Sequence, residues 1–219
     1  MKIRIESLVA VSLLFVASSS AQAPGWTWRL DGEQVTPTTA GELAPGQWAW
    51  QQMPPGWHIT TTSQGATLFP VEANPLTGRW AVEMELFLFP DPGSEGAGIV
   101  LAQPGAPEIG EMRVLFRRDG QVAMEVHSPG GDRVLAGWTA DTAAEAHDGK
   151  EIRKYVLRVS LTDGVLGAAL NGREMLSLEL IPGHAAGAMT AGIRVGSGLN
   201  VHVSRFDLVK PLAPAKRET

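Results

Sequence analysis

Short runs in which apolar and polar residues alternate fill most of the chain after residue 56. Such alternation puts the apolar side chains on one face of a β-strand, and no long stripe with the helical period of 3.6 residues interrupts it. Turn-forming residues separate the runs, as is typical of antiparallel proteins. The pattern predicts twelve strands, at residues 57–62, 66–69, 79–89, 96–102, 111–117, 121–127, 133–138, 153–162, 165–170, 173–180, 191–195 and 199–209. We therefore predict an all-β domain in which two antiparallel sheets pack as a sandwich.

The turn at Arg118-Asp119-Gly120 separates the two most regular alternating runs. A two-residue turn would place apolar residues opposite polar ones, whereas a three-residue turn with a left-handed Gly120 restores the match. The three-residue turn predicts the cross-strand pairs Phe116–Val122, Val114–Met124, Met112–Val126, Arg113–Glu125 and Glu111–His127. It thereby gathers the polar members of these pairs on one face.

Two further turns predict hairpins. At Asp163-Gly164 a two-residue turn keeps apolar residues opposite one another. The pairs that it predicts are Leu161–Leu166, Val159–Ala168 and Leu157–Leu170. Asn171-Gly172 indicates a third hairpin.

The stretch "QQMPPGWHIT", residues 51–60, leads into the first of the twelve strands. Its two prolines stiffen the approach, and Gly56 frees the turn. We then expect Trp57 and Ile59 in the core and His58 on the opposite face of the strand.

Residues 1–23 resemble a signal peptide, with Lys2 and Arg4 ahead of the apolar run 8–17 and a small-residue cleavage site at Ala21-Gln22-Ala23. We therefore expect export to the periplasm or the exterior. The run is too short to span a bilayer and no later stretch resembles one, so no transmembrane span is expected in the mature chain. The sequence has no cysteine, which excludes disulfides and a cysteine-linked lipid anchor.

Removing 23 of the 219 residues leaves 196, enough for one sizeable domain. Residues 24–54 are rich in tryptophan and proline and are expected to join the sandwich, with one short strand near residue 27. Residues 55–210 form the predicted sandwich, in which 141–148 is expected to be a loop rather than a short helix. Residues 211–219 are expected to form a flexible tail.

The net charge of −5 becomes −6 without residues 1–23, because these carry two basic residues and one acidic residue. Nucleic acids and anionic membranes select basic patches on their partners. The acidic balance therefore argues against a nucleic-acid partner.

The stretch "YVLRVSLTDGVLGAALNGREML", residues 155–176, runs through three strands joined by two tight turns. With "GRWAVEMELFLFPDPGSEGAGIVLA", 78–102, and "GLNVHVSRFDLV", 198–209, it resembles the concanavalin A-like jelly rolls. These include laminin G-like modules, family 16 glucanases and secreted bacterial domains similar to 3-keto-disaccharide hydrolases. The resemblance covers roughly residues 55–210 and implies a two-sheet jelly-roll sandwich. It implies no single activity, because this fold hosts lectins, hydrolases and inert modules.

Family 16 glucanases resemble one another through a strand that carries Glu-x-Asp-x-x-Glu. The nearest match is Glu83-Met84-Glu85, which lacks the middle aspartate, and Leu88 stands in the place of the last acid. Retaining glucanase chemistry is therefore not expected. Glu83 and Glu85 share a strand face with side chains about 7 Å apart. That spacing suits inverting rather than retaining chemistry, but a solvated strand face explains the pattern and is the favoured interpretation.

The densest predicted polar cluster consists of Glu111, Arg113, Glu125 and His127. Glu111 opposite His127 would make an acid/base pair, and Arg113 would donate to a carboxylate or to sugar hydroxyls. Cross-strand ion pairing on an exposed face explains the same pattern and is the simpler interpretation. If the chain is an enzyme, the acid/base candidates are Glu85, Glu111, Glu125 and His127.

The sequence has seven tryptophans and one tyrosine. An exposed tryptophan stacks well on a sugar ring, whereas a buried one fills the core. We expect Trp80, which opens an alternating run, in the core. The residues predicted to bind a ligand are Trp48, Trp50, His58, Arg113 and Arg117.

The five histidines are scattered, without HxH or HExxH spacing, so no transition-metal site is expected. No cofactor is predicted. Loop carbonyls together with Asp91, Glu95 or Asp207 are possible oxygen ligands for a calcium ion, although no ligand spacing in the sequence indicates a particular site. The chain also lacks GxSxG and cysteine, which excludes those nucleophiles.

Two functional hypotheses follow. The leading one is a secreted or periplasmic sandwich module that is not an enzyme and binds a glycan or another cell-envelope ligand, or serves as an interaction domain. The competing one is a glycoside-processing hydrolase of the 3-keto-disaccharide type. It requires the acid/base candidates to converge in one cleft.

Overall fold

The computed structural model describes residues 29–30, 33–34, 48–53, 56–69, 76–90, 95–103, 106–140, 151–180 and 187–209. The predicted features at residues 1–23, near residue 27, at 141–148 and at 211–219 lie outside these ranges, as does Asp91. Among the described residues, the only helical element is the 3-10 turn Pro107–Ile109, and no helix is long and apolar enough to cross a membrane. The described strands are β1 (Arg29–Leu30), β2 (Glu33–Gln34), β3 (Trp48–Gln52), β4 (Trp57–Thr61), β5 (Ala66–Leu68), β6 (Trp80–Leu88), β7 (Ala97–Ala102), β8 (Glu111–Phe116), β9 (Val122–Ser128), β10 (Gly131–Thr139), β11 (Arg153–Thr162), β12 (Val165–Leu170), β13 (Arg173–Glu179), β14 (Thr190–Val195) and β15 (Asn200–Val209).

Two antiparallel sheets form the sandwich. The first has six strands in the order β10-β9-β8-β7-β14-β5, and the second has seven in the order β13-β12-β11-β6-β15-β4-β3. The short strands β1 and β2 pair with each other. The prediction of an all-β, two-sheet antiparallel sandwich is confirmed.

The core lies between the inner faces of the two sheets. Alternate residues of each strand enter it, so that buried and half-buried positions follow one another along β4, β6 and β11. Its largest fully buried side chains include Phe116, Ile59, Leu68, Met84, Leu86 and Ile99. Each such side chain contributes roughly 1.5–3 kcal/mol on leaving water. The chain has no cysteine, so no disulfide adds to this stability.

All twelve predicted strands are present, with ends that differ from the predicted ones by one or two residues at most. The register of β8 and β9 matches every predicted pair. Gly120 has a φ of 79°, and Arg117 N–H donates to Gln121 O at 2.9 Å, as a three-residue turn requires. The prediction for this hairpin is confirmed.

The next hairpins also follow their turn residues. All three predicted apolar pairs of β11 and β12 are present. Asp163 and Gly164 have φ values of 53° and 80°, and Asn171 and Gly172 have 51° and 81°. Two consecutive positive φ angles are typical of the two-residue turns that match the twist of a hairpin.

The entry into the sandwich agrees with its sequence pattern. Trp57 and Ile59 are buried in the core, and His58 faces the other way. Trp80, predicted to lie in the core, is 4% exposed. The strand β3, which pairs with β4 at the edge of the larger sheet, was not predicted as a strand. Its alternation, "WAWQQ", is short and follows a stretch rich in proline, glycine and threonine that masks it.

A β-bulge at Ser204 sets which residues of β15 face outward. Val203 pairs with Leu86 and Arg205 pairs with Glu85, so Ser204 is one extra residue in β15 against β6. Because side chains alternate between faces, one extra residue shifts the alternation of all that follow. The shift keeps Arg205 on the outer face and lets Phe206 pack against the core.

Candidate functional site

The polar residues of the alternating strands cover two outer faces, one on each sheet. The outer face of the six-stranded sheet, which we call the Arg113 face, carries the predicted site residues Glu111, Arg113, Arg117, Glu125 and His127. Glu85 and His58 lie on the outer face of the seven-stranded sheet, across the core. The four acid/base candidates therefore do not converge in one cleft, and the condition set by the hydrolase hypothesis is not met.

Arg113 is the centre of the Arg113 face. Its guanidinium donates from Nη2 to Glu111 Oε2 at 3.3 Å, and its Nη1 lies 3.7 Å from Glu125 Oε1. Arg113 is only 8% exposed, although it lies on the outer side of its sheet. The predicted Arg113–Glu125 pair is therefore present, but it belongs to a three-membered, largely buried network rather than to an exposed ion pair. Side chains held in this way offer donors and acceptors at fixed positions.

His127 does not pair with Glu111 in the way that the sequence suggested. The two residues are directly opposite each other in the ladder, but Glu111 binds Arg113, and His127 Nδ1 contacts the Asp132 carboxylate. Asp132 comes from β10, where it is in register with His127. The outermost strand of the sheet therefore supplies the carboxylate that the prediction had assigned to Glu111.

Trp138 adds an aromatic surface to the same face. The guanidinium carbon of Arg117 lies 3.7 Å from the centre of the Trp138 ring, within the range of a cation–π contact. A Cβ atom on Gly96 would lie 2.9 Å from the indole atom Cη2, so the absence of a side chain there leaves room for the ring. Trp138 itself is half-buried. We call Trp138 and Arg117 the tryptophan platform.

The irregular pairing of β10 determines where Trp138 lies. The register of β10 against β9 shifts between Val134 and Ala136 and again between Ala136 and Thr139. Each shift inserts one extra residue, as in a β-bulge, and bulges redirect side chains near the rims of sheets. Simple alternation through residues 133–138 does not reveal such a change of face.

A further ion pair on the Arg113 face joins Arg194 to Glu95. Arg194 Nη2 lies 3.9 Å from Glu95 Oε2, and Arg194 Nη1 donates to Thr67 Oγ1 at 3.3 Å. Burial is the largest single influence on the pKa of Glu95 and raises it. Hydrogen bonds from the backbone and side chain of Ser197, together with the charges of Arg194 and Arg113, outweigh burial and lower the pKa below its usual value.

The charges on the outer face of the seven-stranded sheet form an extended row from Arg158 through Glu83 and Arg205 to Asp207. Glu83 pairs with Arg205 and lies 3.9 Å from Arg158. Glu85 accepts from Ser204 Oγ at 2.9 Å and from Lys154 Nζ at 3.4 Å. The hydrogen bond from Ser204 is the largest cause of a lowered pKa of Glu85, which burial opposes and the charges of Lys154 and Arg205 reinforce.

One end of this second face is aromatic rather than charged. His58 and His202 are directly opposite each other in the β4–β15 ladder, with ring centroids 6.4 Å apart. The His58 ring meets Phe89 edge-on at 4.9 Å, and the His202 ring lies 6.0 Å from Phe87. Burial is the largest cause of a lowered pKa of His58; the charge of His202 adds to it, and a hydrogen bond with Asn200 opposes it.

The remaining candidates are not brought together. The backbones of Trp48 and Trp50 lie in β3, opposite Thr61 and Ile59, whereas their side chains fall outside what the structure describes. Glu95 and Asp207, considered for calcium, lie on different sheets, where Glu95 binds Ser197 and Asp207 lies 3.6 Å from Arg205. Within the described ranges, no three His, Asp or Glu residues lie close enough together to hold a metal ion.

Comparison with known proteins shows what the chain resembles. No protein-family description and no curated protein matches it. Among solved structures, it is similar to the carbohydrate binding module CBM66 from Bacillus subtilis, with 12% identity over 75% of this chain and 95% of that chain and a TM-score of 0.53. It is also similar to the metal-free carbohydrate recognition domain of Emp46p, with 12% identity over 76% and 89% and a TM-score of 0.53. A third is the alginate lyase PA1167 from Pseudomonas aeruginosa, with 13% identity over 74% and 85% and a TM-score of 0.50.

These solved structures are jelly-roll sandwiches of the concanavalin A-like kind, so the resemblance inferred from the sequence is confirmed at the level of the fold. Identities of 12–13% show the fold alone. The fold alone does not give the function of this chain, which depends on the residues of its own two outer faces.

Sequence reasoning missed three residues of these faces. Trp138 was counted only as part of a strand, and the shifts in β10 that place it have no simple sequence signal. Asp132 was recognisable as a polar residue beside a turn, but its pairing with His127 needs the β9–β10 register. His202 was dismissed as isolated, because residues 58 and 202 meet only through strand order.

Proposed function

We propose that the chain is an exported, non-catalytic β-sandwich module that binds a glycan of the cell envelope or its surroundings through the Arg113 face. The observation that carries this proposal is the joint placement of the tryptophan platform and the Arg113 network on one side of one sheet. The carbohydrate-binding domains among the structural neighbours support it, since they show that this fold serves such ligands elsewhere.

The chemistry of a sugar ring matches both parts of this face. A pyranose presents an apolar C–H surface, which packs on the face of an indole such as that of Trp138. Its hydroxyl groups both donate and accept hydrogen bonds, whereas arginine only donates and an ionised carboxylate only accepts. Alternating Arg113 with Glu111 and Glu125 therefore offers neighbouring hydroxyls both kinds of partner. Because Arg113 is largely buried, little side-chain freedom is lost on binding.

The charge balance of the face favours a neutral glycan. Arg113 is matched by Glu111 and Glu125, and Arg194 is matched by Glu95. A polyanion would meet these carboxylates as well as the arginines, so it would gain little from the positive charges. We therefore expect binding to neutral polysaccharides, with weak dependence on salt.

Binding is tested by titrating the purified chain with a panel of neutral and acidic polysaccharides, alongside Trp138→Ala. We expect a neutral polysaccharide to bind the unaltered chain and to bind Trp138→Ala at least about tenfold more weakly, as for loss of an aromatic anchor. Phe87→Ala is the matched control, because it removes a half-buried aromatic ring from the other outer face. Equal binding by Trp138→Ala and the unaltered chain would exclude this face, and no binding to any polysaccharide would exclude a lectin.

The absence of catalysis is tested separately by incubating the bound polysaccharide with the chain and measuring new reducing ends. We expect none above buffer, because the acid/base candidates lie on two sides of the core. If the unaltered chain produces new reducing ends and Glu125→Gln does not, this part of the proposal is wrong. Export is tested by the mass of the chain recovered from outside the cytoplasm, which should lack residues 1–23.

A further inference from the structure

His58 and His202 form a pair that the sequence does not reveal. They are 144 positions apart in the chain, yet β4 and β15 place them directly opposite each other on one face. Residues directly opposite in an antiparallel ladder have Cβ atoms about 4.5–5.5 Å apart, so their side chains reach a common point above the sheet. The ring centroids lie 6.4 Å apart, with the ring planes inclined by 42°.

The surroundings hold both rings in place. Phe89 meets the His58 ring edge-on, and Phe87 lies beside the His202 ring, so each imidazole has an aromatic neighbour. Asn200, two residues before His202 in β15, pairs with Thr60 beside His58. Metal-binding histidines are commonly oriented by a hydrogen bond to the ring, and the apolar shell around a site controls the access of solvent.

The Nδ1 atom of the His58 ring has no hydrogen-bond partner. His58 Nδ1 is shielded from solvent and has no hydrogen-bond partner, although the ring as a whole is half-buried. Buried nitrogen atoms normally have a hydrogen-bond partner, so an exception calls for an explanation such as a bound ion or water. A neutral imidazole nitrogen that carries no proton is also a good ligand for borderline divalent metals.

We propose that His58 and His202 together bind one divalent ion of the zinc, nickel or copper class on the outer face of the seven-stranded sheet. Nitrogen ligands lie about 2.0–2.1 Å from such an ion. Two imidazoles that share one ion at a tetrahedral angle have ring centroids roughly 5 Å apart, so these two rings must turn toward each other and approach by about 1 Å on binding. Water molecules complete its coordination, because the described residues offer no third acidic or histidine ligand nearby.

A bound metal requires both imidazoles to be neutral, so the site is tested above neutral pH. The proposal is independent of glycan binding, which uses the opposite side of the molecule.

The test is calorimetric titration of Ni²⁺ and of Zn²⁺ into the untagged, chelator-treated chain at pH 7.5. We expect one ion per chain. His58→Gln and His202→Gln should each weaken binding at least about tenfold, because even outer partners of a site typically contribute 10–100-fold. His127→Gln is the matched control, since it removes a histidine from the Arg113 face and should leave the titration unchanged.

Circular dichroism and thermal melting establish that each variant is folded. His202 is 8% exposed, so His202→Gln is the variant more sensitive to misfolding. If His202→Gln does not fold, the metal titration of His58→Gln, at a half-buried position, tests the proposal by itself. As a second readout, the C2 proton resonances of both histidines should shift together on addition of Zn²⁺. Failure to bind either ion, full binding by His58→Gln, or equal weakening by His127→Gln would each overturn the proposal.

Discussion

The two outer faces of the sandwich use charged residues in different ways. On the Arg113 face, one largely buried arginine holds two carboxylates, and the tryptophan platform lies on the same sheet. On the opposite face, Glu83 and Glu85 bind basic side chains that are all more exposed than Arg113, and two histidines lie beside aromatic rings. The comparison teaches that similar counts of charged residues have different consequences, because burial decides which contacts are held rigidly.

The exchange of Arg205 and Phe206, made as Arg205→Phe with Phe206→Arg, is expected to have the largest effect on this comparison. The bulge at Ser204 makes position 205 face outward and position 206 face the core, so the exchange would turn a guanidinium inward and an aromatic ring toward solvent. Burying an ion costs several kcal/mol, which is comparable to the whole stability of roughly 5–15 kcal/mol of a typical domain. We expect the exchanged chain to lose its cooperative thermal transition, measured by circular dichroism.

The control for this exchange is Ser204→Gly, which keeps the bulge residue and both neighbouring side chains and removes the hydroxyl that donates to Glu85. Loss of that half-buried hydrogen bond is expected to cost about 1 kcal/mol. An exchanged chain that melts like Ser204→Gly would show that the inner position 206 accommodates a charged side chain.

Arg113→Met and Arg205→Met are expected to destabilise the chain by smaller amounts, which should differ between the two faces. Arg113→Met leaves Glu111 and Glu125 without their common partner in a poorly solvated place, at a cost of about 1–3 kcal/mol. Arg205 has a side chain that is 39% exposed, so Arg205→Met should cost less than about 1 kcal/mol. Urea denaturation of both variants measures the difference. Equal losses would contradict the claim that the faces differ in rigidity.

The smallest expected effect is a pH dependence that belongs to the histidine face alone. The folded-state pKa of His58 lies below the usual value near 6.5, so the unfolded chain binds a proton there more readily. The stability from His58 is therefore complete above pH 6.5 and declines as the pH falls through 6.5 toward the folded-state pKa. Comparing chelator-treated chain at pH 7.5 and 5.5 avoids most carboxyl titration.

His58→Gln should reduce this loss of stability between pH 7.5 and 5.5, measured from urea midpoints. His127→Gln is the matched histidine substitution on the other sheet. The same slope in the unaltered chain and His58→Gln would show that His58 is not the group responsible.

The sequence predicted the fold well because local signals agreed with one another. Alternation located twelve strands, and the turn residues Gly120 and Gly164 fixed the register of two hairpins through their positive φ angles. These signals act over a few residues, where the chain itself sets the geometry. The strand β3 was missed because its short alternation follows turn-forming residues.

The candidate sites were predicted less well because they depend on pairing between distant strands. Arg113 and Glu125 were found because a tight turn joins β8 and β9. The contact of His127 with Asp132 and the position of Trp138 depend on the irregular register of β10. His58 and His202 meet only because β15 inserts beside β4, an arrangement that no local pattern encodes.

The position of β15 has a consequence for how the molecule is made. This strand, formed by residues 200–209, lies between β6 and β4 and joins two parts of the larger sheet that are otherwise separate. Pairing between residues so distant in sequence is slow, and it cannot occur before the ribosome has released this segment. Until then, β6 and β4 present unpaired edges, which invite association with other chains. Synthesis that stops before residue 200 therefore yields an aggregation-prone fragment rather than a smaller sandwich.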